Sequence, residues 1–193
     1  LVPLAAMPHM PDNVKSCREI GKIHIDQVCI GSCTNSSLMD MLKVAAILKG
    51  KTVCPSVSLS IAPGSKQVLN MLALDGALSD MIDAGARILE SACGPCIVSL
   101  RTFNRNFEGR SGTADAGIYL VSPEVAAASA LTGVLTDPRE LGEMPEIEMP
   151  DEFIINDNMI AMPASVEDAD SVEVMYGPNI KPFPKTEAMP EDI

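Results

Sequence analysis

The chain has 193 residues, 47% of them apolar and 21% charged, which is a globular composition with enough length for one packed domain. Aromatic residues are only 3%, with no Trp, so the core must be aliphatic and rich in Met. The net charge of −12 repels phosphate backbones, and no apolar run reaches the ~20 residues of a membrane span, so neither nucleic acid nor membrane is an expected partner.

In chain order, residues 1–21 contain Pro3, Pro8 and Pro11 and are expected to form an irregular lead-in. The chain opens on Leu1 with no basic stretch before an apolar one, the pattern of a processed chain or an excised piece rather than of a signal peptide. Ile23, Ile25, Val28 and Ile30 predict a buried strand ending at Gly31. Asn35 or Ser36 is the expected cap of a helix through Leu38, Leu42, Ala45 and Leu48, stopped by Gly50. Val57, Leu59 and Ile61 alternate with Ser and predict a second strand. Ser65 should cap a helix through Leu72, and a short helix should follow over 77–84. Residues 87–90 and 118–121 predict two more strands. Ser122-Pro123-Glu124 is a helix start with cap, first-turn Pro and early acid, and Gly133 is its stop.

Strands alternating with helices over 22–136 imply an α/β domain: three layers, α/β/α, around a mainly parallel sheet. All of the net negative charge and eight of the fifteen prolines lie in residues 137–193. That stretch is expected to be an acidic, Pro-rich extended arm, with short strands at 153–155 and 172–175, packing on something else such as another domain.

Sites in open α/β sheets lie outside the carboxyl ends of the strands. Two candidate loops fall there, Gly31-Ser32-Cys33-Thr34-Asn35 and Ser91-Ala92-Cys93-Gly94-Pro95-Cys96. The spacing brings Cys33, Cys93 and Cys96 to one edge of the sheet as metal-ligand candidates. A closed zinc site wants four ligands, and no remaining Cys or His has a good claim to be the fourth: His24 falls inside the first predicted strand, and Cys17, Cys29 and Cys54 are taken as plain buried residues. Three thiolates suit an iron–sulfur cluster with one iron left open, against a zinc site or a redox Cys pair. Asn104-Arg105-Asn106-Phe107-Glu108-Gly109-Arg110 follows, and its two guanidiniums around a Gly turn can grip carboxylates or form a plain solvated loop.

The segments Ile30-Gly31-Ser32-Cys33-Thr34-Asn35-Ser36, Glu90-Ser91-Ala92-Cys93-Gly94-Pro95-Cys96, Asn104 through Arg110 and Val121-Ser122-Pro123-Glu124 together resemble the aconitase family, in family order across residues 25–133. The resemblance implies that Cys33, Cys93 and Cys96 hold a [4Fe–4S] cluster, that Asn104 lines the site, and that Arg105 and Arg110 bind substrate carboxylates. It implies reversible dehydration of a hydroxy-tricarboxylate such as citrate or isocitrate, or of a related dicarboxylate in an isopropylmalate dehydratase or homoaconitase. Family members are longer. The chain resembles their third domain plus the linker toward a swivelling domain, the catalytic base lies in a part not seen here, and the remaining domains belong to the same chain or another subunit. The isolated chain is therefore expected to be inactive. Val98 after Ile97, where the family commonly has Gly, is a departure that bears on packing behind the ligands. Thiolate clusters imply a reducing compartment, the cytoplasm. A reading of another class is a non-catalytic interaction module that keeps the fold without a cluster.

Overall fold

Buried β-branched residues build the centre of the structure, a computed structural model that describes residues 1–91, 100–109, 116–158, 160–173 and 177–180. Val28 and Ile30 of β3 (Gln27–Gly31) and Leu59 and Ile61 of β4 (Ser58–Ala62) pair in parallel register over five residues, Gln27 opposite Ser58 and Gly31 opposite Ala62. With β1 spanning Leu4–Ala6, β2 Val14–Ser16, β5 Arg87–Ile88, β6 Leu100–Arg101 and β7 Tyr119–Val121, the full order is β2-β1-β7-β6-β3-β4-β5. β5 (Arg87–Ile88), β6 (Leu100–Arg101) and β7 (Tyr119–Val121) complete the parallel part. The α/β class and the mainly parallel sheet are as the sequence predicts.

Four helices cover this sheet: α2 (Leu38–Leu48), α3 (Lys66–Asp75), α4 (Ala77–Asp83) and α5 (Pro123–Thr132). α5 lies beside α2, and α2 beside α3 and α4, so they form one row, with α5 against β3. The shared core is aliphatic, with Met41, Met71 and Met81 filling gaps between Ile, Leu, Val and Ala. α5 is buried along most of its length because Ala126, Ala127, Ala128 and Ala130 admit close neighbours. Ser65 caps α3, Ser122 caps α5, and Gly133 ends α5 in the left-handed conformation, all at the expected positions.

Four expectations need correction. The lead-in is not irregular: β1 (Leu4–Ala6) and β2 (Val14–Ser16) form an antiparallel pair, β1 adds antiparallel to β7, and Ser16 and Glu19 make a capping box for α1 (Cys17–Ile20). The three prolines lie outside these strands, where they interrupt no ladder. The first predicted strand is shorter than its apolar run, since Ile23 and Ile25 bond instead to Leu135 and Gly133 through His24's bridge with Val134. The cap of α2 is Ser37, not Asn35 or Ser36. No strand forms at 153–155 or among the described residues of 172–175, where the backbone makes no sheet pairing.

The chain divides into two compact units, residues 1–155 and 156–193. Within the first, the acidic segment after α5 is held in place rather than loose. The Asp137 side chain is 2% exposed and meets Arg139 Nε at 2.9 Å, Arg139 Nη2 at 2.5 Å and Arg18 Nε at 3.2 Å. Further on, Gln67 Nε2 donates to the Ile154 carbonyl at 2.5 Å. In the second unit the described residues form turns and one 3-10 turn, Ala169–Ser171, and are exposed.

Candidate functional site

The strand order places a switch point between β3 and β6. From β3 the chain steps to β4 and β5 on one side, then returns to β6 and β7 on the other. Adjacent strands whose following connections part in opposite directions leave a crevice outside their carboxyl ends, the usual position of a site in such sheets. The two segments that bound it are residues 32–36 after β3 and residues 102–106 after β6.

The first segment makes an abrupt turn. Gly31 has φ +111 and Ser32 has φ +83. A Cβ on Gly31 would stand 1.9 Å from the Ala62 carbonyl oxygen, so only glycine passes there. Ser32, a non-glycine residue in the left-handed region, is a strained position of the kind that gathers at functional sites. The turn then presents Cys33 and Thr34 to solvent, with Cys33 Sγ 3.7 Å from Thr34 Oγ1. The polar residues after Cys33 bond across the turn. Asn35 Nδ2 donates to the Thr102 carbonyl, and Ser36 Oγ donates to the Ser32 carbonyl. Their side chains are thereby spent, and the cap of α2 passes to Ser37, whose hydroxyl accepts from the Asp40 amide at 3.2 Å.

The second segment starts from two buried residues that sequence reasoning passed over. Arg101 is fully buried with its guanidinium 5.6 Å from the centre of the Phe103 ring, and Thr102 is fully buried against Gly31. Nothing in a run of Leu-Arg-Thr marks them, because the strand that buries them is two residues long and its pairing is remote in sequence. Asn104 and Arg105 follow and are exposed. Asn106 is buried, its Nδ2 donating to the Met7 carbonyl at 2.6 Å and the Ile118 carbonyl at 3.3 Å, which ties the segment to the N-terminal hairpin and to the entry of β7. An apolar cavity of about 720 Å³ adjoins the crevice at Asn35 and Phe103 and continues to Leu4, Leu120 and Arg139.

Cys33, Asn104 and Arg105 thus follow neighbouring strands at one edge of the sheet. Cys93, Cys96 and Arg110 lie outside the described residues. Among the described residues no three of His, Cys, Asp and Glu gather into a group able to hold a metal ion. His24 is outside β3 and is 65% exposed beside Asp26. Cys17 and Cys29 are buried, as expected of apolar-like cysteines, and burial, then the Asp137 charge, pushes the Cys17 thiol up. Cys54 departs from that expectation. It is half-buried, and bonds with Ser56 hold its thiol below the ordinary value. At the start of α5, burial pushes the Glu124 carboxyl up, but its own amide, Ser122 and Lys43 more than offset this, so it stays below the usual range.

No helix among the described residues is long and apolar enough to cross a membrane. The chain is similar to the 3-isopropylmalate dehydratase large subunit of Moorella thermoacetica, 43% identical over 150 residues, covering 72% of this chain and 36% of that protein. It is 44% identical over 154 residues to the homoaconitase large subunit of Thermus thermophilus, covering 74% of this chain and 37% of the relative. It is 43% identical over 157 residues to the 3-isopropylmalate dehydratase large subunit of a Sulfurihydrogenibium species, 76% and 36% respectively. The chain spans little more than a third of the length of these relatives. The model of the aconitase family (aconitate hydratase) matches residues 6–133, from the N-terminal hairpin to the glycine that ends α5, and with the switch-point crevice enclosed in that span the chain belongs to the aconitase family.

Proposed function

We propose that this chain is the cluster-carrying part of an aconitase-type hydro-lyase. It would hold a [4Fe–4S] cluster through Cys33, Cys93 and Cys96 and bind the carboxylates of a hydroxy acid through Arg105 and Arg110, with Asn104 beside them. The observation that carries the reading is the exposed Cys33 on a strained turn at the switch point, joined by hydrogen bonds to the segment that leads into Asn104 and Arg105. The donor chemistry fits: three sulfur ligands suit an iron–sulfur cluster, and among the described residues no group of three or more His, Cys, Asp or Glu forms a rival metal site.

A bound cluster of this kind supplies a Lewis-acidic iron for a hydroxyl leaving group. The chain's own residues bind and orient. Arg105, exposed and permanently charged, offers a planar pair of N–H donors to a carboxylate, and Arg110 supplies a second. Two carboxylates held by these guanidiniums would fix the orientation of the carbon skeleton. The reaction class is reversible elimination of water from a tri- or dicarboxylate hydroxy acid, of the citrate type or of the type handled by an isopropylmalate dehydratase or a homoaconitase. The proton-abstracting base and the rest of the site belong to further domains, in the same chain or a partner subunit.

Anaerobic loading of the chain with iron and sulfide tests this. The expected product is a brown protein with iron–sulfur absorption that is lost in Cys33→Ser and in Cys93→Ser. Uptake of metal without sulfide, or no uptake, overturns the reading. The loaded chain alone should not hydrate cis-aconitate, because catalytic groups need placement to within ~0.5 Å by supporting residues that it lacks.

A further inference from the structure

Thr102 occupies an unusual place in this crevice. It is the first residue beyond β6 and is fully buried. Its hydroxyl accepts from the Gly31 amide at 2.8 Å and lies 3.4 Å from the Gly31 carbonyl. Its amide donates to the Cys29 carbonyl at 3.2 Å, and its carbonyl accepts from Asn35 Nδ2. Gly31 and Asn35 each stand two residues from Cys33. The exposed cysteine is therefore bracketed on both sides by bonds to one residue of the other segment. That same residue begins the run Phe103-Asn104-Arg105.

The strain of the turn explains why such a bracket is needed. At φ +111 and +83 the backbone of Gly31 and Ser32 leaves the sheet direction, and the Gly31 amide turns to a side-chain acceptor. A buried amide left without an acceptor is costly, so the Thr102 hydroxyl stabilises the turned conformation over a straight continuation. Asn35 closes the far side of the loop against the same backbone.

We propose that Thr102, assisted by Asn35, is a positioning residue that fixes Cys33 relative to Asn104 and Arg105, so that the metal-binding and carboxylate-binding arms keep one mutual geometry. This rests on the reading of Cys33 as a cluster ligand and adds a residue that touches neither cluster nor substrate. Thr102→Val removes the acceptor at nearly constant volume, and Thr102→Ser restores it.

Two measurements on the full chain decide it. In the iron- and sulfide-loaded protein, release of iron to a chelator should be at least tenfold faster in Thr102→Val and within twofold of wild type in Thr102→Ser. In the metal-free protein, hydrogen exchange in residues 29–36 should rise at least tenfold in Thr102→Val, with β4 and α3 unchanged. Equal iron release in Thr102→Val and wild type overturns the proposal even if exchange rises, because the residue then supports the fold without positioning the ligand. If Thr102→Val does not fold, Asn35→Ala decides, with severalfold faster iron release at an unchanged unfolding midpoint expected and an unchanged rate overturning. If wild type takes up no cluster, the functional reading fails by itself, and local exchange alone shows whether Thr102 holds the Cys33 turn.

Discussion

Two strand-to-helix turns leave the same edge of the sheet and solve the same problem in different ways. At β7–α5, Val121 is followed directly by Ser122, whose hydroxyl accepts from the Val125 amide at 3.3 Å, and the helix begins at Pro123. At β3–α2, five residues intervene between Gly31 and the Ser37 cap, two consecutive positions have positive φ, and a cysteine is left in solvent. The first turn needs only local rules. The second spends glycine, strain and three side-chain bonds on a geometry that α2 does not require, since Ser37 and Asp40 alone cap it. The difference teaches that the β3–α2 turn is shaped for what it presents.

The largest effect is expected at Gly31. Gly31→Ala places a Cβ 1.9 Å from a backbone oxygen at φ +111, which no side-chain movement relieves. The loss should be at least about 3 kcal/mol, lowering the melting temperature by about 6–12 °C for a chain of this size. Gly76→Ala is the control: φ is +84, but nothing lies within 4 Å of the new methyl, so only the ~1 kcal/mol of left-handed backbone is expected. Similar melting temperatures for the two variants would remove the steric argument for the turn.

This contrast also marks what was legible in the sequence. Ser65, Ser122-Pro123 and Gly133 were readable because a cap and a stop depend on residues a few positions apart. The cap of α2 is illegible for a reason outside the local sequence: Asn35 and Ser36 are good cap residues, but they are drawn into bonds with Thr102 and Ser32. The hairpin β1–β2 is illegible because three-residue strands carry no usable alternation, and β1 is fixed by its pairing with β7, more than a hundred residues away. Cys33, Asn104 and Arg105 could be named from motif and strand order. Thr102 and Arg101 could not, because their burial follows from β6 pairing with β3 and β7, both remote in sequence.

A smaller and pH-dependent effect belongs to the end of the β7–α5 unit. The bonds from Arg139, and the nearby Arg18 charge, hold the Asp137 carboxyl down at about 2, from an ordinary 3.8. A depressed carboxylate stabilises the fold at pH values above its unfolded pKa, and that contribution disappears as pH falls through the folded value. Stability should therefore be level in this respect above about pH 4 and decline between about pH 4 and 2. Asp137→Asn should remove this part of the acid dependence and cost on the order of 1–3 kcal/mol at neutral pH. Urea titrations at several pH values check both. An unchanged acid slope in the variant would mean that other carboxylates carry it. Ser122→Ala should cost about 1 kcal/mol, the ordinary value of a lost cap, and so should Ser37→Ala. Near-equal losses would show that the elaborate turn adds nothing to capping.

The smallest expected effect is the most diagnostic. Cys33 is exposed, and its neighbour Thr34 Oγ1, 3.7 Å from the sulfur, accepts a serine as readily as a cysteine. Cys33→Ser should therefore change the stability of the metal-free chain by no more than about 0.5 kcal/mol, the range of an ordinary surface substitution. Strain in a turn is tolerated when something else over-determines it, and here Gly31, Thr102 and Asn35 do so without the thiol. If Cys33→Ser instead cost as much as a cap, the sulfur itself would be part of what holds the turn, and the contrast with β7–α5 would reduce to packing. A neutral substitution that nonetheless abolishes iron–sulfur uptake separates the two cleanly, because the fold would then be indifferent to the sulfur that the turn presents.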